Sequence, residues 1–375
     1  MAGIYFHIPF CRKACHYCNF HFSTSLKYKN EMIQALLREL DIRKDFLKGE
    51  AIDTIYFGGG TPSLLDEDDV ARLMDKVQTV YKPSHLKEVT LEANPDDIHT
   101  SNIKSWLKAG IDRLSIGVQS FYEEDLQYMN RTHNALQAER AIKASQDGGI
   151  ENLSIDLIFG FPLLTHEKWT SNLRRVIEYQ VPHVSTYAMT VEPQTALDVF
   201  VTKGKSEPMD PEQSAAQYEY VMAYLAQHGF EHYEISSFAL PGKRAIHNSN
   251  YWRSIPYLGI GPSAHSYDGS RRQWNVAHNM KYIQAMELSQ PSLEEEVLTI
   301  EQKLNEKIMI GLRTIEGVDL TFLKDIVSES KWFELEKVCL EMESKGKITI
   351  HKSCIKLTKK GKLYADLIAS MLFVC

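Results

Sequence analysis

The chain has no apolar run that approaches the roughly 20 residues a membrane span needs, so no spanning helix is expected. It opens Met-Ala-Gly-Ile-Tyr-Phe-His-Ile-Pro, with no basic segment followed by an apolar one, so no secretory signal is expected either. Positive charge is not in excess: 42 Lys and Arg stand against 49 Asp and Glu, a net charge of −7. That argues against a protein that coats nucleic acid, although it leaves room for a local basic surface. Cysteine is scarce, with 6 in 375 residues, and Cys339, Cys354 and Cys375 are scattered. No disulfide framework follows, and a reducing, cytoplasmic compartment is expected. The one glycine run is not followed by Gly-Lys-Ser/Thr, which excludes a phosphate-binding P-loop. Low-complexity segments are absent, and 43% hydrophobic with 24% charged residues is ordinary for a globular protein long enough for more than one domain.

What is present begins with the other three cysteines, in Cys11-Arg-Lys-Ala-Cys15-His-Tyr-Cys18. A closed zinc site takes four ligands, and this loop supplies three thiolates. Zinc would need His7, His16 or His21 turned inward beside them. Three thiolates from one loop better suit a four-iron cluster that leaves one iron open to a ligand.

Short apolar strands alternate with amphipathic helices over the first half of the chain. Strands are predicted at Gly3 to Ile8, Asp53 to Phe57, Glu88 to Glu92, Arg113 to Val118, Leu153 to Phe159 and His183 to Met189. Helices are predicted at Lys27 to Phe46, Asp66 to Val80 and Leu136 to Gln146. Six βα units in series imply a parallel sheet with crossover helices. A partial (β/α)6 barrel is the preferred geometry and a doubly wound sheet the alternative. Residues 1–192 form this core. Residues 193–290 form an extension with a helix near Glu212 to His228, a segment Glu231 to Phe238 and a glycine-rich strand Tyr257 to Tyr267. Residues 291–375 are expected to be mostly helical and winged-helix-like, with helices at Glu294 to Leu312, Leu320 to Val327, Trp332 to Lys345 and Lys362 to Phe373, and a hairpin from Ile348 to Leu357.

Unusual polar and glycine residues sit at successive strand ends, the face where parallel βα architectures bind ligands. Gly58-Gly59-Gly60-Thr61-Pro62 follows the second strand and lets backbone approach a ligand closely. Glu92, Gln119 and Asp156 follow on later strands, and a carboxylate inside Ser-Ile-Asp156-Leu-Ile is costly unless paired or hydrogen-bonded. Arg131 is placed to pair with Gln119 or with a ligand carboxylate. Singly, each of these residues fits a structural hydrogen bond as well as a functional one. Together they resemble a site for a small, zwitterionic, ribose-bearing molecule.

The cysteine triplet after the first strand, Gly58-Gly-Gly-Thr-Pro after the second, and the order of strand-end polars resemble the radical S-adenosylmethionine superfamily. More narrowly, Tyr5-Phe-His-Ile-Pro-Phe-Cys11, Gly58-Gly-Gly-Thr-Pro-Ser-Leu-Leu, Glu92-Ala-Asn-Pro and Ile116-Gly-Val-Gln119-Ser-Phe resemble the branch of oxygen-independent coproporphyrinogen III oxidases and HemW-type heme chaperones. The resemblance covers nearly the whole chain. It implies a radical-SAM partial barrel, a [4Fe-4S] cluster on Cys11, Cys15 and Cys18, and a low-potential electron donor. It also implies S-adenosylmethionine contacts from Tyr5, Tyr17, Gly59, Gly60, Thr61, Glu92, Gln119, Arg131, Asp156 and Ala188.

Two departures separate the branches. Where the oxidases carry a further cysteine two residues past the third, this chain has Phe20, and with the first strand predicted almost at Met1 the oxidases' N-terminal lid is expected to be missing. His247-Asn248-Ser249-Asn250-Tyr251-Trp252 resembles the heme motif of the chaperones, with His247 as the implied axial ligand and His265 as a second candidate. The leading expectation is a heme chaperone that passes heme to a recipient protein, such as a membrane-associated respiratory component, from the cytoplasm or the inner face of the membrane. The alternative is oxidative decarboxylation of coproporphyrinogen III propionates to vinyls, so enzymatic activity stays undecided here. Between Lys331 and Lys362 nine lysines stand against four glutamates. A partner or anionic membrane suits that segment better than nucleic acid, and a solvated face suits it best.

Overall fold

The computed structural model describes residues 1–374, so Cys375 lies outside the described residues. Six parallel strands, β1 (Ala2–Ile8), β2 (Ile52–Gly59), β3 (Glu88–Ala93), β4 (Arg113–Gln119), β5 (Asn152–Phe159) and β6 (His183–Ala188), lie side by side in chain order. That order lacks the reversal of a doubly wound sheet. The fold is a mixed α/β partial barrel followed by a mostly helical C-terminal unit.

Side chains alternate across each strand with a period of two, and the alternation explains which face meets the helices. On β1, Ile4, Phe6 and Ile8 are buried among apolar neighbours, and Phe6 stacks on Phe57 at 4.8 Å between centroids. On β4, Leu114, Ile116 and Val118 do the same. The alternate positions Tyr5, Tyr56, Glu92, Arg113, Ser115, Gly117 and Asp156 are polar or small, and they supply the barrel interior.

The middle segment extends this sheet at both edges. Strands β7 (Glu231–His232) and β8 (Ser237–Ala239) add antiparallel beyond β6. On the other side β9 (Tyr257–Ile260) pairs parallel with β1, followed by antiparallel β10 (His265–Tyr267), β11 (Arg271–Asn275) and β12 (Leu293–Val297). Two predicted elements change here. The strand predicted over Tyr257 to Tyr267 is broken by a turn in which Gly261 adopts φ +111°. The helix predicted from Glu294 starts only at Ile300, because Thr299 and Gln302 form a capping box and the residues before it pair with β11. Glu39, fully buried, ties this edge to the helix Lys29–Ile42: it accepts from Tyr282 Oη (2.6 Å), Asn275 Nδ2 (2.8 Å) and the Gly261 N–H (2.8 Å).

The C-terminal unit has its own core, including Leu304, Ile308, Leu335, Met342, Ile348 and Ile368. Its helices Ile300–Leu312 and Glu329–Ser344 pack with a three-stranded sheet of β13 (Val318–Asp319), β14 (Ile348–His351) and β15 (Cys354–Leu357), in the order β13-β15-β14. The predicted Leu320 to Val327 helix is one turn, Thr321–Lys324, and the closing helix is split into Lys359–Lys362 and Ala365–Met371. Polar contacts dock the unit on the barrel: Arg244 with Glu316 at 2.7 Å, Lys362 Nζ with His232 Nδ1 at 2.7 Å, and the Ile315 N–H donating to Tyr233 O at 2.9 Å. Among the described residues no helix is long and apolar enough to cross a membrane.

Candidate functional site

The segment after β1 lacks regular structure yet is held at several points. Cys11 N–H donates to Ser23 O (3.0 Å), Asn130 Nδ2 to Ala14 O (2.7 Å), and Leu197 N–H to His16 O (2.8 Å). Arg12 pairs with Asp97 at 2.5 Å. The end of β2 completes the frame: Gly60 N–H donates to Ile8 O (2.9 Å) and Thr61 N–H to Phe10 O (2.7 Å). A Cβ on Gly60 would lie 2.6 Å from Phe10 O and 2.7 Å from Ile8 O. This glycine is therefore required first by the approach of β1 and its cysteine loop, and the ligand-approach reading is secondary.

The loop forms one wall of a cavity of about 450 Å³ at the C-terminal end of the strands. Cys11, Cys15 and Cys18 line it, together with Tyr17, Gly59, Gly60, Thr61, Glu92, Gln119, Arg131, Asp156 and Ala188. These residues come from the loop and from β2 through β6, so the fold brings together nearly all of the expected cluster and S-adenosylmethionine positions. Tyr5 sits one layer below, stacked on Tyr56 at 6.1 Å.

Two donors face the thiols: Thr61 Oγ1 donates to Cys11 Sγ at 3.4 Å and Arg131 Nη1 to Cys15 Sγ at 3.3 Å. Arg131 Nη2 also donates to Asn94 Oδ1 (2.7 Å) and Gly117 O (2.8 Å), not to Gln119, while its buried Nε has no partner. Burial pushes the Cys11 thiol up to about 11, against the Thr61 bond, and raises Cys18 for the same reason. Burial also raises Glu92 to about 7, with Asp156 adding and the 2.7 Å bond from Tyr56 Oη opposing. Asp156 rises to about 6, again through burial, against bonds from Ser185 and Ser115 and the nearby Arg113. A register shift falls at the end of β4, where Gln119 adopts φ +66° and lines the cavity.

The donor set fits an iron–sulfur cluster with an anionic ligand beside it. The histidines that zinc would need are engaged elsewhere: His16 Nδ1 with Tyr128 O (2.8 Å), His7 Nε2 with His21 O (2.9 Å), and His21 Nε2 with Asn279 Oδ1 (2.7 Å). Among the described residues no three His, Cys, Asp or Glu side chains converge on a point that holds one ion. A cluster takes one thiolate per iron and does not need such a point. Arg131 lines the cavity beside the thiols and supplies a positive charge for an anion.

His247 is elsewhere. Its helix, Ile246–Trp252, closes the N-terminal end of the barrel, where Gly3 and Thr54 start their strands. Both ring nitrogens are bonded, Nδ1 to Thr54 Oγ1 (2.8 Å) and Nε2 to Tyr251 Oη (2.9 Å), and the residue is 2% exposed. Burial, with the Arg113 charge, lowers its pKa to about 3. The strand from Gly3 to Ile8, about 17 Å long, lies between this histidine and the cysteine loop. His265 is exposed and stacks on Trp274 at 5.6 Å. Sequence reasoning missed Asn94 and Tyr56. Asn94 stood in the quoted Glu-Ala-Asn-Pro stretch, and Tyr56 shares strand parity with Gly58.

The family model described as "Radical SAM superfamily" matches residues 5–176, and that described as "HemN C-terminal domain" matches residues 298–364. The chain is 35% identical to the heme chaperone HemW of Bacillus subtilis over 370 residues, 98% of this chain and 97% of that protein. It is 32% identical to the heme chaperone HemW of Synechocystis, over 99% of this chain and 96% of that one. The solved coproporphyrinogen III oxidase (HemN) of Escherichia coli superposes with a TM-score of 0.84 at 23% identity, covering 100% of this chain and 90% of that one, which speaks to fold. The chain belongs to the radical SAM superfamily and, within it, to the HemW/HemN-type proteins.

Proposed function

We propose that this chain is a heme chaperone that carries a [4Fe-4S] cluster on Cys11, Cys15 and Cys18, holds S-adenosylmethionine beside it, and transfers heme to a recipient protein. The observation that carries the reading is 35% identity over essentially full length to a protein described as a heme chaperone. The cavity supports the cofactor part. Arg131 and Thr61 stabilise negative charge on sulfur. Arg131 lines the site as a cation for a carboxylate. Glu92 and Asp156, both raised by burial, are acceptors for ligand amino or hydroxyl groups once ionised. When bound, the cluster with S-adenosylmethionine supplies one-electron cleavage of a carbon–sulfur bond. A low-potential donor feeds the cluster, and a membrane-associated respiratory component is the proposed recipient. Phe20, 68% exposed at the cavity mouth, stands where a further thiol would be expected of an oxidase.

The test is anaerobic reconstitution followed by three readings: the absorption spectrum and iron content, a hemin titration, and transfer of bound heme to an apo-protein acceptor. Cluster absorption, hemin binding and transfer are expected. Release of carbon dioxide from coproporphyrinogen III at multiple turnovers would replace this reading with the oxidase.

A further inference from the structure

We propose that heme binds in the cleft between the N-terminal end of the barrel and the C-terminal unit, held as a flat dianion by Arg253, Lys303, Lys307, Trp252 and Phe322, with no iron ligand from His247. This rests on the heme-binding reading above and assigns its place. The cleft encloses about 480 Å³, within the range of small-molecule sites. The barrel contributes Trp252 and Arg253, and the C-terminal unit contributes Lys303, Lys307 and Phe322.

Charge in the cleft is unbalanced. Arg244 is committed to Glu231 and Glu316, both at 2.7 Å. Asp319 accepts from the Thr321 N–H at 2.9 Å and starts the following helical turn. Lys303 and Lys307 lie one turn apart on the helix Ile300–Leu312 and so share a face. With Arg253 and Arg244 the lining carries four cations against two carboxylates, Glu316 and Asp319, so the cleft keeps an excess of positive charge. Lys307 Nζ stands 3.9 Å from the Phe322 ring centroid, so cation and aromatic face are adjacent. A planar ring with carboxylates on one edge satisfies both features: the carboxylates meet the cations and the ring packs on Trp252 and Phe322.

The same short helix decides against His247. It turns the histidine inward, where Thr54 and Tyr251 occupy both nitrogens, and leaves Trp252 on the cleft side. The contribution of His247-Asn-Ser-Asn-Tyr-Trp252 to the ligand is thus its tryptophan, and the histidine locks the helix in place.

The experiment titrates the full-length protein with hemin by Soret absorbance and with metal-free protoporphyrin IX by fluorescence, at low and high salt. Lys303→Glu with Lys307→Glu should weaken hemin binding by about tenfold or more, since two attractions become repulsions. Added salt should weaken wild-type binding. The metal-free ring should bind with affinity comparable to hemin and suffer the same loss. If the reversal disturbs folding by circular dichroism, Lys303→Gln with Lys307→Gln gives the reading with a smaller loss. Hemin binding that ignores these changes, or a metal-free ring that fails to bind while hemin binds, overturns this site and leaves the chaperone reading intact. A wild-type protein that takes up no hemin overturns the chaperone reading itself.

Discussion

Replacing Gly60 by alanine tests how the cysteine loop is fixed. The new Cβ would stand 2.6 Å from Phe10 O, 2.7 Å from Ile8 O and 2.8 Å from Phe10 N. All three neighbours are backbone, so no flexible side chain can swing aside. Gly60 does not require a left-handed φ, so the cost is steric. Overpacking of this kind costs about 1–3 kcal/mol, and relief must move either the end of β2 or Phe10. Phe10 directly precedes Cys11, and the two hydrogen bonds that set the loop, Gly60 N–H to Ile8 O and Thr61 N–H to Phe10 O, lie on the same contact. The expected result is a lower denaturation midpoint together with a disproportionate loss of iron after anaerobic reconstitution. Gly49→Ala is the control: its φ is +79° with nothing within 4 Å, so it should cost about 1 kcal/mol through strain alone and leave iron content unchanged. A Gly60→Ala protein with wild-type midpoint and iron content would refute the reasoning.

Arg131→Met removes donors to Cys15 Sγ, Asn94 Oδ1 and Gly117 O. It should cost about 2–4 kcal/mol and reduce S-adenosylmethionine binding measured by calorimetry on the reconstituted protein. Glu92 and Asp156 have folded pKa values above their ordinary ones, so protonation favours the fold, and this contribution is lost as pH rises through about 6 and 7. A rise for Glu92 from 4.5 to about 7 corresponds to roughly 3 kcal/mol. Melting of the cluster-free protein between pH 5 and 8 should therefore be flatter for Glu92→Gln with Asp156→Asn than for wild type, and identical slopes would count against the buried-carboxylate account. His247→Ala should lower thermal stability by about 2–4 kcal/mol, through lost packing and an unpaired Thr54 hydroxyl, without changing hemin stoichiometry. Glu39→Ala should destabilise by about 3–5 kcal/mol, because Arg43 and Tyr282 lose a buried anion, readable as a lower denaturant midpoint.

The six strands were legible as short apolar runs separated by amphipathic helices, since strands of a parallel sheet are covered on both faces and read as near-continuous apolar segments. The glycine run and the cysteine triplet were legible because few residue types tolerate those backbone contacts or bind iron. Less legible was the segment Glu294-Glu-Glu, whose charged composition suits a helix. It becomes an edge strand because β11 offers an open edge, with Trp274 Nε1 donating to Glu294 at 3.1 Å and Arg271 Nη1 to Glu295 at 3.3 Å.

By itself the sequence determined the order of the βα units, the thiols available to a cluster, and membership of a family that places them at the strand ends. Those follow from local periodicity and residue chemistry. Only the tertiary structure decided which groups share a space. Strand parity carries Glu92 and Asp156 into the cavity of Cys11, Cys15 and Cys18, and the turn of one short helix sends His247 into the barrel floor and Trp252 to a different cleft. Contacts of that kind join residues far apart in the chain, and no local pattern encodes which face of a helix will meet them.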